Sequence, residues 1–194
     1  MTATTIVVSM GTYFHPFDRL LDWIEPWADE HPDVVFVVQH GPGRPLAGAH
    51  NHDFVSYDYL LDLFAAADVI VLQGGAGGVM DARELGRVPI VVPRRPVDNE
   101  VVDSHQLIFT GKAAELGLVH CADSRDDLWS MLDACLDGSL PTRHADHEHS
   151  PGSAALAALL TDSPESLPLS ARRRRLAQSL RLLLGSGRAA KESK

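Results

Sequence analysis

The densest run of residues suited to chemistry is "ADVIVLQGGAGGVMDARELGRVPIVVP", from Ala67 to Pro93. Gly74, Gly75, Gly77 and Gly78 surround Ala76, and Asp81 follows. Glycines between an apolar run and an acidic helical run let a backbone approach a ligand closely. The amides of such a loop, with the N-terminus of the helix it opens, can accept a phosphate without any side chain. A tight strand-to-helix packing turn has the same pattern, and the glycines alone do not choose between the two. They are not the dinucleotide fingerprint. The register Gly75-x-Gly77 reaches Met80 where GxGxxG requires its last glycine, and no GxxxxGK[ST] occurs. A second cluster, "HADHEH", sets His144, His147 and His149 beside Asp146 and Glu148. These residue types bind divalent metals, but their spacing fits no standard zinc motif and their setting is linker-like, so no metal is expected there.

The elements that must position the glycine loop are legible in the hydropathy. "TTIVVSM", "VVFVVQH", "DVIVLQ" and "VPIVVP" are short runs rich in Val and Ile. Near-continuous apolar runs of this kind read as strands buried on both faces of a parallel sheet. "HDFVS" (52–56) and "LVHCAD" (118–123) add two strands. Between them lie the helical patterns "PFDRLLDWIEPWADE", "YDYLLDLFAAA", "GVMDARELG", "DSHQLIFTGKAAELG" and "SRDDLWSMLDACLDG". Pro16 precedes the first, and Gly86, Gly117 and Gly138 follow three others, as stop signals do. The alternation predicts an α/β doubly wound parallel sheet over 1–138. A linker with a short helix at "AALAALL" then covers 139–169, and a basic tail covers 170–194. In such a sheet ligands bind beyond the carboxyl ends of the strands. That selects four loops: Met10–Pro16, His40–Pro45, Gln73–Gly78 and Pro93–Gln106.

Composition narrows the class. The 194-residue chain has a net charge of −9. From Ser170 onward six Arg and two Lys face one Glu, so the tail carries +7 and residues 1–169 carry −16. An acidic body is not the footprint of a nucleic-acid-binding domain, and no nucleic-acid partner is expected. Cys121 and Cys135 lack the CxxC spacing and suit a reducing compartment, where they read as small buried hydrophobes. Trp23, Trp27 and Trp129 fall on helical patterns as core or interface residues. The N-terminus lacks the pattern of a signal peptide, and no apolar run approaches the roughly 20 residues of a membrane span.

The run "VLQGGAGGVMDARELGRVPIVVPRRPVDNEVVDSHQL" resembles the C-terminal, nucleotide-sugar-binding half of MurG-like GT-B glycosyltransferases. It resembles more closely the small catalytic subunits of two-component UDP-sugar transferases, which serve bacterial exopolysaccharide synthesis and dolichol-linked glycan assembly. "VVSMGTYFHPFDRLL" and "HDFVSYDYLLDLFAAADVIV" are similar to two further motifs of that family, so the likeness runs from about Ile6 to Leu136. It implies a Rossmann-like half of a GT-B enzyme. By position, it implies that Gly11 and Thr12 lie near the donor phosphates and that Phe54 and Val55 line the uracil. Gly74, Gly75, Ala76, Gly77 and Gly78 would abut the diphosphate, Asp81 would grip the ribose, and Asp103, His105 and Gln106 would face the donor sugar. The chain departs from the family in three places: Gln73 stands for a His, Gly78 for a Thr and Asp81 for a Glu.

Glycosyl transfer needs a stabilised leaving diphosphate and an acceptor hydroxyl that loses its proton. The resemblance implies metal-free stabilisation, with no cofactor beyond the UDP-sugar substrate. Arg94 or Arg95, after the fifth strand, could face the diphosphate or be solvated loop charges. His15 is the first candidate base, unless it is a loop His packed on Pro16. Asp18 is the second, unless it caps the first helix. The resemblance further implies an acceptor half on another chain, a membrane-anchored subunit that recruits a lipid-linked acceptor. The expected place is cytoplasmic, peripheral to the inner face of the plasma membrane, with 170–184 a candidate for weak contact with that surface. The expected activity is an inverting transfer of a hexose or N-acetylhexosamine in exopolysaccharide or related glycan synthesis. The losses at Gln73 and Gly78 keep a second reading open, a non-catalytic nucleotide-binding or scaffold subunit of such a complex.

Overall fold

A computed structural model describes residues 3–144. Six strands form one parallel sheet: β1 (Thr5–Ser9), β2 (Val35–Gln39), β3 (His50–His52), β4 (Val69–Gln73), β5 (Ile90–Val92) and β6 (His120–Cys121). Their order across the sheet is β3-β2-β1-β4-β5-β6, the doubly wound Rossmann order. Five helices connect or follow them: α1 (Asp18–Glu30), α2 (Tyr57–Ala66), α3 (Ala76–Glu84), α4 (His105–Glu115) and α5 (Arg125–Leu136).

The apolar runs produce this sheet because both of its faces are covered. Ile6 and Val8 of β1 and Val69 and Val71 of β4 point to the face packed by α1 and α5. Val7 of β1 and Ile70 and Leu72 of β4 point to the opposite face, with Phe64 of α2, Val79 and Ala82 of α3 and Ala113 of α4. The tryptophans join helices on the first face. Trp27 is buried and donates to Asp133 Oδ1 at 2.9 Å, and Trp129 donates to the Trp23 carbonyl at 2.7 Å. Gly86, Gly117 and Gly138 all take positive φ, at 71°, 66° and 79°, just past the ends of α3, α4 and α5.

Three local expectations shift. The predicted strand at 52–56 lies earlier, at His50–His52, and its Ser56 instead caps α2 by accepting from the Tyr59 amide at 3.3 Å. Asp18 is the first residue of α1 but does not cap it. Its Oδ1 accepts from the Arg44 backbone amide at 3.2 Å, tying the β2–β3 loop to the helix. Cys121 and Cys135 are free and only half-buried, and burial pushes both thiols up to about 11. The chain also stays on the fold past Gly138. Thr142 and His144 exchange backbone bonds with Val88 and Gly86 across an antiparallel Arg87–Arg143 bridge. The "AALAALL" helix, the basic tail, and His147 and His149 lie outside the described residues. No helix among the described residues is long and apolar enough to cross a membrane.

Candidate donor-binding site

Strand order reverses between β1 and β4, so a crevice opens beyond Ser9 and Gln73, the last residues of those strands. A cleft of about 290 Å³ occupies it. The β1 end and the loop after it contribute Ser9, Gly11 and Thr12, and the end of β2 contributes Gln39. From the other side come Leu72, Gln73, Gly75, Gly77, Gly78 and Asp81, with Tyr57 and Leu60 of α2 closing the flank. Asp81 is the one charged residue in this lining.

The β1 loop is held by a small buried network. Gly11 turns with φ +68°, a conformation that favours glycine. Its amide donates to Ser9 Oγ at 3.4 Å, its carbonyl accepts from Gln39 Nε2 at 3.4 Å, and Ser9 Oγ donates to Gln39 Oε1 at 3.2 Å. Nothing in the sequence reading singled out Ser9 or Gln39. Their signal is a polar residue ending an apolar strand at the edge where ligands bind.

The positions of the glycine loop differ in what they do. Gly74 is a packing glycine: a Cβ there would lie 2.7 Å from Thr110 Oγ1 and 3.2 Å from Pro93 Cα. Gly75 makes the turn, donating to the Gln73 carbonyl at 2.8 Å, and sits at the N-cap of α3 without any side-chain cap. The first bond of α3 runs from the Val79 amide to the Gly75 carbonyl. The amides of Ala76, Gly77 and Gly78 therefore have no partner within the helix. Gly77 has open space where its Cβ would be. One turn on, Asp81 Oδ1 accepts from the Tyr57 hydroxyl at 2.9 Å, and that bond raises the pKa of the Tyr57 phenol.

The remaining expected residues scatter around this cleft. Phe54 is 56% exposed and follows β3, its ring 3.8 Å from where a Gly41 Cβ would stand; Val55 is half-buried beside it. Neither lines the cleft. Asp103 and His105 face outward, with side chains 48% and 88% exposed. Asp103 accepts from the His105 amide at 3.0 Å and meets its ring Nδ1 at 2.8 Å, and these bonds hold its carboxyl below the usual range. His15 is half-buried, stacked on Tyr13 at 5.5 Å between ring centroids and tilted against Phe14 at 4.3 Å. It also stands outside the cleft lining.

Arg94 is neither a solvated loop charge nor part of the cleft lining: it is 1% exposed and its guanidinium is bonded to the protein. Nη1 donates to the carbonyls of His15, Pro16 and Glu100 at 2.8, 3.1 and 3.1 Å, Nη2 to that of Met10 at 3.1 Å, and Nε to Gln73 Oε1 at 2.9 Å. Burial pushes the group down to about 10, so it stays charged at neutral pH. Arg95 also turns away, with its amide on Glu100 Oε2 and its guanidinium on the Asp123 carbonyl. Gln106 joins Arg94 rather than the cleft. Its Oε1 accepts from the Arg94 amide at 3.2 Å and its Nε2 donates to Gln73 Oε1 at 3.1 Å.

The model of the glycosyltransferase family 28 C-terminal domain matches residues 5–158, and the chain belongs to this family. Among solved structures it is similar to the glycotransferase of kitacinnamycin, with 20% identity and a TM-score of 0.55 over 71% of this chain and 36% of that one. It is also similar to ALG13, solved by NMR, with 18% identity and a TM-score of 0.52 over 79% of this chain and 94% of that one. These likenesses bear on the fold. The chain thus spans about a third of the length of the first protein and nearly all of the second. No curated protein matches the sequence.

Proposed function

We propose that this chain is the donor-binding catalytic subunit of an inverting, metal-independent UDP-sugar glycosyltransferase. The observation that carries the reading is the cleft at the strand-order reversal. It offers unpaired helix-terminal amides at Gly77 and Gly78 and one carboxylate, Asp81, a turn away. A diphosphate suits the first and a ribose diol the second, since a carboxylate accepts charge-assisted bonds from two hydroxyls. The family match and the ALG13-like fold support the same reading.

In the proposed reaction an acceptor hydroxyl oxygen attacks the anomeric carbon of a hexose or N-acetylhexosamine. The bond from that carbon to the UDP oxygen breaks, inverting the centre. The α3 amides and the positive end of the helix dipole stabilise the departing UDP. The acceptor proton passes to His15, Asp18 or a base on the partner. Because His15 and Asp18 lie outside the cleft lining, the partner's base is the reading favoured here. That partner is a membrane-anchored, acceptor-binding subunit presenting a lipid-linked acceptor for exopolysaccharide or related glycan synthesis at the inner face of the plasma membrane.

Calorimetric titration of the chain with UDP and UDP-hexoses at millimolar concentration tests the reading, and saturable heat is expected. Absence of heat with any of them overturns it. The second reading, a non-catalytic nucleotide-binding subunit, is favoured by a lining that holds one carboxylate, Asp81, itself bonded to Tyr57. Reconstitution with the partner separates the two: transfer that survives Asp81→Ala and Gly11→Val identifies a scaffold.

A further inference from the structure

We propose that Gln73 is a diphosphate-contacting residue whose carboxamide nitrogen donates into the cleft, and that Arg94 and Gln106 are the positioning residues that fix its orientation. The inference rests on the reading of the cleft as a UDP-sugar site and specifies how that site holds the phosphates.

Gln73 ends β4 at the strand-order reversal and lines the cleft. Its side chain lies between the two glycine turns. A Cβ on Gly75 would stand 2.8 Å from its Nε2, and one on Gly11 would collide with the same atom. The two glycines thus leave room for this amide, and the amide marks the gap between the turns. A carboxamide can face either way, so the roles of its two ends must be argued from its neighbours. Here the neighbours decide. Arg94 Nε is 2.9 Å from one end and can only donate, so that end is the oxygen. Gln106 is fixed by the same residue: the Arg94 backbone amide donates to its Oε1, so its nitrogen faces Gln73 Oε1 at 3.1 Å. Both amides are therefore ordered from Arg94, whose remaining donors are spent on Met10, His15, Pro16 and Glu100. The Nε2 of Gln73, with two hydrogens, has no acceptor among the described residues. It is left toward a cleft that lacks any cationic side chain.

A free pair of N–H donors beside the unpaired amides of α3 matches phosphate oxygens, and a hydrogen bond to an ionised acceptor is about twice as strong as one to a neutral base or hydroxyl. The carboxamide has no charge to lose, so its part in diphosphate binding does not titrate. The donor at this place is neutral and fixed.

The test is calorimetry on the full chain with UDP and with uridine at pH 7.5, using wild type, Gln73→Ala and Gln73→Glu. The glutamate keeps the shape and the acceptor toward Arg94 while removing both donors. Hydrogen bonds to charged groups suggest that each variant binds UDP about 10-fold or more weakly, with uridine affinity within about twofold of wild type. Gln106→Leu should weaken UDP binding less than either and again spare uridine. An unchanged UDP affinity in both Gln73 variants, or an equal fall for UDP and uridine, overturns the inference while wild-type binding leaves the proposed function standing. Wild type without UDP binding overturns both. Should either variant fail to fold, the Gln73 side-chain amide resonances of wild type decide. A shift with UDP and none with uridine supports the inference, and no shift with UDP overturns it.

Discussion

Two regions of the same sheet edge handle charge in opposite ways. Beyond β1 and β4 lies an open cleft with one carboxylate and no cation. At the loop after β5, two arginines, Arg94 of that loop and Arg19 of α1, are bonded to the protein. Arg94 holds backbone carbonyls of two loops, those after β1 and β5, and Arg19 makes a bidentate pair with buried Glu100 at 2.8 and 2.9 Å. Arg19 also lies over the Trp23 ring at 4.5 Å, and Arg94 over that of Phe17 at 4.7 Å. The cations of this edge therefore build the frame, and the neutral amides line the site. A positive side chain after a strand in a phosphate-binding fold is not by itself a phosphate ligand. Its hydrogen-bond partners decide.

The largest expected effect comes from the frame. Arg94→Met leaves the carbonyls of Met10, His15, Pro16 and Glu100 without their donor in a buried place. Breaking a buried charged hub of this kind costs about 3–5 kcal/mol, read as a fall in the denaturant midpoint. If the variant is as stable as wild type, the frame is not where the comparison puts it. Asp81→Ala should act on the site alone. Loss of a carboxylate that receives hydroxyls should weaken UDP binding about 10-fold, with the denaturant midpoint little changed. Gly11→Ala sharpens the link between the regions. It forces a side chain into positive φ, at about 1–2 kcal/mol, and into the Gln73 amide, so stability and UDP affinity fall together. The smallest effect concerns Tyr57. Its phenol should titrate above its ordinary value while Asp81 accepts from it, and Asp81→Asn should bring it back down. Alkaline spectrophotometric titration reads this directly. An unshifted Tyr57 in wild type removes the Tyr57–Asp81 bond from the description of the cleft.

The sequence made the sheet readable because its strands are buried on both faces and so are written in Val and Ile. β3 was displaced because "HNH" at a sheet edge carries no such signature, and the apolar Phe54 and Val55 just beyond it drew the strand two residues along. Spacing and resemblance brought the glycine loop and Asp81 together as a candidate site, and the fold places Gly75, Gly77, Gly78 and Asp81 in one cleft. The role of Arg94 was not legible, since an arginine after a strand looks the same in sequence whether it meets solvent, phosphate or backbone. Gln73 and Gln106 stand 33 residues apart and are joined only by the fold. Counted against a family pattern, Gln73 read as a lost imidazole. Placed beside Arg94, it is an oriented donor.

A structure of the chain with UDP bound tests the central contrast most directly. The account predicts the diphosphate over the start of α3, within hydrogen-bond reach of the Gly77 and Gly78 amides and of Gln73 Nε2. The ribose would lie at Asp81, and Arg94 would keep its bonds to Met10, His15, Pro16 and Glu100. A diphosphate seated on Arg94 or Arg95, with those carbonyls released, would contradict it.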